Sequence, residues 1–399
     1  MNNNSRGCES SFPLKVIIIT VTGARESIIN ELCVESISAH YDVELWDLSY
    51  WIFPLNYDQD DIYKKLYEKY RVSIKKVYSK ENFEQLLSNQ VTRCLLLATI
   101  DMGAYCRIYK SFRKFNYKFA CVDKENVGHA SKNESTFHFR NYVSLKERIK
   151  TDIKHSCLLR YLIIKSKYGN VKFDYALSPQ NYFPTTNKHH LPFHYPGCSS
   201  SDFQVFNREV SVTGKGYAVF IDTALANHPG YEHNGMKPNF DLYLSYLNRY
   251  FNTFEDKTGF DIVVAAYPKV HYDESVFSGR KVLYDNTEAL IRDADVIIAH
   301  TSSALNHAIL MYKPINFIIY DEMFLDVTWP FGTATLENAR LLGQPCDNMT
   351  LGECSGVSEV DEAKYRDFAF KWIIASSVKH KSNDEIMLDF LNKHANGLI

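Results

Sequence analysis

The 399-residue chain contains no pair of cysteines at C-x-x-C spacing, and its nine cysteines are scattered and odd in number. That pattern excludes a regularly spaced zinc site or a thioredoxin-like motif and reads as thiols buried in a reducing compartment. No excess of one charge is present either. The 45 Lys and Arg residues stand against 47 Asp and Glu residues, a formal net charge of -2. A dedicated nucleic-acid binder carries a marked basic surplus, so nucleic acid is excluded as the main partner. Long apolar runs are missing as well: Val16 to Val21 has the length of a strand, far below the roughly 20 residues that span a bilayer. The opening MNNNSRGCESSFPLKV lacks the charged-then-apolar layout of a secretory leader. The expectation is a cytoplasmic protein that at most touches the inner face of the membrane. Internal repeats and low-complexity tracts are absent too, which excludes a repeat array. What the chain does have is hydrophobic residues at 45% and aromatics at 14%, with 27 Tyr and 25 Phe. Its length suits two to three domains with sizeable cores.

Apolar runs of strand length alternate with helical periodicity. KVIIITVTG (15–23), VELWDLS (43–49), CLLLATI (94–100) and YKFACVD (117–123) read as buried strands. Helical segments between them cover 26–41, 58–70, the surroundings of ENFEQLL and 105–115. A mixed helical segment over 144–168 and the strand FDYALS (173–178) follow. The Pro-, Gly-, Ser- and His-containing stretch from about 179 to 214 reads as a linker, with His189, His190 and His194 on loop. Alternation then resumes with GYAVFID (216–222), a long helix from 239, DIVVAAYP (261–268), KVLY (281–284), TEALIRDA, DVIIAH (295–300) and INFIIY (315–320). A last helix is placed over about 360–376. Strands alternating with helices predict an α/β fold: two doubly wound, Rossmann-like halves facing each other across a cleft. The boundaries read as 1–200, 201–375 and a tail or helix over 376–399 that returns toward the first half.

The most telling stretch is ADVIIAHTSSALNHAILMYKPINFII (294–319), in which a strand runs into His300, Thr301, Ser302 and Ser303 before a helical segment. Ser302 or Ser303 is placed as the N-cap of that helix. Such a terminus, with unpaired N–H groups and partial positive charge, favours an anion, although a hydroxyl there is more often a cap alone. Neighbouring strand ends add to it. FIDTALANHPG delivers Asp222, His228 and Pro229, VVAAYPKVHY delivers Tyr267, Lys269 and His271, and DNTEALI delivers Asn286, Thr287 and Glu288. In a parallel sheet these ends share one rim.

These residues resemble a known family. The run DIVVAAYPKVHY…GRKVLYDNTEALIRDADVIIAHTSSALNHAILMYKPINFI looks like the C-terminal half of the GT-B glycosyltransferases that build bacterial capsules and O-antigens. The resemblance covers about 215–320, and Tyr267 stands where the family's loop often has His. It implies a nucleotide-sugar donor on the C-terminal half, held by Tyr267, Lys269, His271, Thr287, Glu288, His300, Thr301, Ser302 and Ser303. A glycan or lipid-linked acceptor would lie on the N-terminal half around Gly23, Arg25 and Glu26. The nucleotide sugar enters as substrate, and neither cofactor nor metal is implied.

Sugar transfer with inversion needs a base for the acceptor hydroxyl and hydrogen-bond donors for the leaving phosphate. Asp222, at a strand end, is the first candidate base against a turn-forming role, and His228 is the second. The Asp-x-Asp in YDQDD (57–61) matches a metal-binding triplet, but acidic residues also favour a helix start. VTGARES lacks the GK[ST] ending of a phosphate loop. The basic stretch Lys146 to Lys154, with Lys165 and Lys167, suits a solvated helix face better than peripheral contact with an anionic membrane. The expected activity is therefore nucleotide-sugar-dependent transfer onto a capsule, O-antigen or lipid-linked glycan, inverting and metal-independent. The alternatives are a transferase of CMP-linked ulosonic acids, a sugar-nucleotide epimerase and a non-catalytic glycan-assembly protein.

Overall fold

The computed structural model describes residues 14–21, 23–52, 60–90, 93–99, 102–122, 173–179, 187–198, 216–225, 239–267, 270–273, 275–284, 287–324 and 331–399. Two parallel sheets organise them. The first contains β1 (Lys15–Thr20), β2 (Asp42–Asp47), β3 (Ser73–Lys76), β4 (Cys94–Ala98), β5 (Lys118–Val122), β6 (Phe173–Ser178) and β7 (Asn187–Pro192), in the order β3-β2-β1-β4-β5-β6-β7. The second contains β8 (Tyr217–Ile221), β9 (Asp261–Ala265), β10 (Val282–Leu283), β11 (Val296–Ala299), β12 (Ile315–Ile319) and β13 (Cys346–Asn348), in the order β10-β9-β8-β11-β12-β13. Both are doubly wound α/β sheets. In each the winding reverses beside the first strand, between β1 and β4 and between β8 and β11. Such reversals open a crevice beyond the strands' carboxyl ends, where ligands of open α/β sheets bind.

The helices are α1 (Glu26–Glu31), α2 (Val34–Ser38), α3 (Ser49–Ile52), α4 (Asp60–Tyr70), α5 (Lys80–Ser88), α6 (Met102–Lys114), α7 (Phe240–Thr258), α8 (Thr287–Asp293), α9 (Leu305–Leu310), α10 (Phe331–Leu342), α11 (Glu362–Trp372) and α12 (Asn383–Ala395). None of the described helices is long and apolar enough to cross a membrane.

The strands read as unbroken apolar runs because both sheet faces are covered. Along β1, Val16 and Ile18 enter one core while Ile17 and Ile19 enter the other, as the two-residue period of a strand requires. Helix α7 shows the complementary logic. Asn239 caps it by accepting from the Leu242 N–H at 3.0 Å, and Gly259 ends it at φ 74°. Its buried stripe of Tyr243, Leu247, Tyr250, Phe251 and Phe254 recurs at helical spacing and packs on β8 and β9 residues such as Phe220 and Val264. Each fully buried Phe or Leu contributes about 1.5–3 kcal/mol.

One compact unit holds the described residues within Met1–Lys124, Ile164–Pro196 and Ser377–Ile399, and the other those within Gly197–Ser376. Helix α11 stays with the second unit, where the Tyr365 hydroxyl donates to the Lys313 carbonyl at 3.0 Å. It is α12 that joins the first. Its Ile386, Met387, Phe390 and Leu391 enter the core around Val16 and Ile18, and Arg93 donates to the carbonyls of His394 and Ala395 at 2.8 and 2.9 Å.

Several elements differ from the sequence reading. The helix expected over 26–41 breaks at Cys33, which takes φ 54°, into α1 and α2. Residues 187–192 are the edge strand β7 rather than linker, so His189 and His190 sit on a strand. His189 stacks on Tyr175 at 5.6 Å, the His190 Nε2 lies 3.0 Å from Ser178 Oγ, and His194 is buried. Helix α10 and strand β13 were not anticipated. The segment 144–168 and its basic residues lie outside the described residues.

Candidate functional site

At the reversal of the second sheet, Ile221 of β8 lies opposite Ala299 of β11, so the two loops leave from the same level. Asp222 follows β8. One of its carboxylate oxygens accepts from the Ala224 N–H at 2.8 Å. The other accepts from the Tyr267 N–H at 3.0 Å and the Tyr272 hydroxyl at 2.7 Å. Tyr272 is fixed in turn, its N–H donating to the Tyr284 hydroxyl at 3.0 Å. Asp222 thus ties the loop after β8 to the loop after β9. Burial pushes its carboxyl pKa up, against the pull of these hydrogen bonds. Ala224, held by this turn, takes φ 48°, a left-handed conformation that costs a non-glycine residue about 1–2 kcal/mol. Strain of this kind collects where a loop must hold a defined shape for function.

Asp222, expected as the general base, here ties two loops together. The residue is only 6% exposed and both oxygens are occupied. A base must reach the proton it removes.

His300, expected on the donor side, is likewise held by its neighbours. It is fully buried, its Nδ1 lies 2.6 Å from the Ile318 carbonyl and its Nε2 lies 3.0 Å from the Tyr243 hydroxyl. A carbonyl only accepts, so Nδ1 carries the proton and Nε2 accepts from Tyr243. Burial pushes the imidazole pKa down to about 4, which keeps it neutral. Both nitrogens are taken, leaving none for a phosphate. His300 anchors the end of β11 to β12 and α7.

Thr301 begins the turn itself. Its N–H donates to Thr335 Oγ1 at 3.0 Å, and Asn338 Nδ2 donates to Thr301 Oγ1 at 3.1 Å. Thr335 donates to the Phe331 carbonyl at 2.8 Å. Two side chains one turn apart on α10 therefore hold the turn after β11. Ser302 Oγ accepts from the Ala304 N–H at 3.3 Å, so it shapes a local turn. The N-cap of α9 is Ala304 with no side-chain cap, not Ser302 or Ser303, and Ser303 is exposed. Several buried polar atoms from the loop after β8, from α9 and from α10 have no hydrogen-bond partner among the described residues: Thr223 Oγ1, both amide atoms of Asn306 and Asn338 Oδ1. Burying such groups unpaired costs about 1–3 kcal/mol each.

The other expected donor contacts are distributed along the same sheet edge. His271 is exposed, with its ring 5.6 Å from that of Tyr284. Thr287 begins α8, and Glu288 pairs with Arg292 at 2.5 Å. His228, Lys269 and Asn286 lie outside the described residues.

In the first unit, Gly23 takes φ 87° and its carbonyl accepts from the Thr20 hydroxyl at 3.1 Å. Arg25 is the N-cap of α1, and its Nε is buried without a partner among the described residues. Glu26 turns onto α4, pairing with Lys69 and accepting from the Tyr70 hydroxyl at 2.6 Å. The Lys69 and Tyr70 hydrogen bonds hold its carboxyl below the usual range. Asp47 here resembles Asp222: it accepts from the Ala24 and Ser49 N–H groups at 3.0 and 2.8 Å and from the Tyr63 hydroxyl at 2.5 Å. Asp60 and Asp61 open α4, Asp60 pairing with Lys76, and no cluster of three metal-ligating residues occurs among the described residues.

No protein-family model and no curated protein matches the sequence. Solved structures do. Phytolacca americana UGT2, complexed with UDP-2-fluoro-glucose and pterostilbene, aligns at TM-score 0.54 and 10% identity, over 96% of this chain and 100% of its own. The spinosyn forosaminyltransferase SpnP aligns at 0.52 and 10%, over 96% and 99%. The glycosyltransferase SnogD from Streptomyces nogalater aligns at 0.51 and 10%, over 95% and 99%. The fold is GT-B. In GT-B terms, the Asp222, Tyr267 and Thr301 loops belong to the C-terminal Rossmann-like unit, at its strand reversal. Sequence reasoning missed Thr223, Tyr272, Asn306, Thr335 and Asn338. The one available signal was Asn306, a polar residue inside the apolar run ALNHAIL.

Proposed function

We propose that the chain is a nucleotide-sugar-dependent glycosyltransferase acting on a capsule, O-antigen or lipid-linked glycan, by inversion and without a metal. The observation that carries the reading is the strand reversal of the second sheet, in a GT-B fold. There a strained Ala224 turn and a clamped Thr301 turn leave β8 and β11 side by side, with Thr223 and Asn306 polar atoms close by in the chain that have no partner among the described residues.

In this reading Thr301, Ser302 and Ser303 form the phosphate side of the donor site. Tyr267, Lys269, His271, Thr287 and Glu288 border the nucleoside. Asp222 and His300 position the loops without touching the donor. The base role passes from Asp222 to His228. Gly23, Arg25 and Glu26 mark the acceptor side of the first unit. Hydrogen-bond donors around a leaving phosphate stabilise the charge that develops as the glycosidic bond breaks.

The test is release of nucleotide from UDP-glucose, UDP-N-acetylglucosamine, GDP-mannose, dTDP-glucose and CMP-sialic acid, with and without EDTA. Turnover of one donor, insensitive to EDTA and lost in Ser302→Ala/Ser303→Ala, supports the proposal. Isomerisation of the donor without release identifies an epimerase instead. If all five donors stay intact, the non-catalytic assembly role takes over.

A further inference from the structure

Exposed aromatic side chains are the least explained feature of the first unit. Tyr78 is 60% exposed, just past the carboxyl end of β3. Its ring lies 5.3 Å from that of Tyr50, at 58°, and Tyr50 sits in α3 just past the carboxyl end of β2. Because β2 and β3 are adjacent parallel strands, both tyrosines stand on the rim that carries Gly23 to Glu26.

The pair is braced from below. The Lys76 ammonium lies 5.3 Å from the Tyr50 ring centre and 5.5 Å from that of Tyr63. The Tyr63 hydroxyl is bonded to buried Asp47 and lies 3.4 Å from the Tyr50 hydroxyl. Lys76 is paired in turn with Asp60, whose side chain is 64% exposed. Tyr50 is thus fixed by neighbours, while the Tyr78 ring leans on Tyr50 and stays largely open to solvent. A fixed ring beside an open one is ordered before anything binds, which lowers the entropy cost of binding.

We propose that Tyr78, braced by Tyr50 and flanked by the Lys76–Asp60 pair, is a saccharide-binding platform. The chemistry favours a neutral sugar ring. Its apolar C–H face can cover an exposed aromatic ring, and its hydroxyls, each a donor and an acceptor, match a neighbouring ammonium and carboxylate. An anion is a poorer match, because Asp60 already neutralises Lys76. In the transferase reading the platform is an acceptor subsite, so that assignment rests on the previous subsection. Saccharide binding by itself does not.

The test is saturation-transfer difference NMR of the full chain with 10 mM maltose, cellobiose, lactose and N,N′-diacetylchitobiose. Wild type is expected to saturate the ring C–H protons of at least one of these probes. Tyr78→Ala weakens that binding by roughly tenfold, while Tyr78→Phe, which keeps the ring, stays within about twofold. Leu351→Ser, at an exposed site in the second unit, leaves binding unchanged. Tyr78 is exposed enough for the Ala variant to fold, and an unchanged melting temperature checks this. No saturation with any of the four sugars overturns the proposal, as does equal binding by wild type and Tyr78→Ala. Sugar binding without nucleotide binding keeps the platform and removes the transferase reading. Nucleotide binding without sugar binding does the reverse.

Discussion

Replacing Asp222 by Ala removes one buried carboxylate and three hydrogen bonds that join two loops of the second sheet. The Ala224 and Tyr267 N–H groups are left without their acceptor, at about 1–3 kcal/mol each, while the Tyr272 hydroxyl can rotate to another partner. Relief of the buried charge offsets part of this, since burial disfavours the ionised carboxylate. The net loss is about 2–4 kcal/mol. For a unit of this size that lowers the melting temperature by roughly 5–15 °C. Asp222→Asn keeps an oxygen for Tyr267 and Tyr272 but turns an amide NH2 toward the Ala224 N–H, so its loss is smaller and falls on the strained turn. Scanning calorimetry reads both variants, and limited proteolysis maps the opening to the loops after β8 and β9. If Asp222→Ala melts within a degree of wild type, the carboxylate does not tie these loops and the account of the rim is wrong.

Acid should weaken the fold through its neutral histidines. The pKa of His300 is pushed from 6.5 down to about 4 by burial, and that of His394 likewise, chiefly by burial with help from Arg93 and Lys118. The folded value of each lies below the unfolded one. The stability held by the neutral imidazole is therefore complete above about pH 6.5 and is lost as pH falls toward 4, at about 1 kcal/mol per pH unit for each group. Urea unfolding across that range checks the slope, and His300→Phe should flatten it. Asn338→Leu frees the Thr301 hydroxyl, costs about 1–2 kcal/mol, and should weaken nucleotide binding more than it lowers stability. Ending the chain at Ser376 strips α12 from the first core, exposing Ile386, Met387, Phe390 and Leu391 contacts worth about 6–12 kcal/mol together. Circular dichroism should show the first unit unfolded while the second persists.

The two doubly wound sheets were legible because parallel strands are buried on both faces. KVIIIT, CLLLA, VIIA and INFII declare themselves as apolar runs. β7 reads NKHHLP because it is an edge strand, where polar residues and a terminal Pro are tolerated. β13 is three residues long and leaves too little pattern to see. The rim was legible as a set of strand ends, but its roles were not. What Asp222 does depends on Tyr267 and Tyr272, 45 and 50 residues away, and what His300 does depends on Tyr243 and Ile318. A polar residue at a strand end looks the same in sequence whether it faces a ligand or a tyrosine. Thr335 and Asn338 lie on a helix whose apolar pattern is diluted by small residues, so the clamp on Thr301 left no signal.

The central claim is that the second unit's strand reversal binds a nucleotide. Thermal unfolding of the purified protein against CMP, UDP, GDP and dTDP, with and without magnesium, tests it most directly. A ligand at about 100 times its dissociation constant stabilises by about 2.7 kcal/mol, worth roughly 5–10 °C for this unit. The account predicts such a shift for one nucleotide, independent of magnesium and absent from Ser302→Ala/Ser303→Ala. No shift with any of the four, or a shift that survives the double substitution, contradicts it.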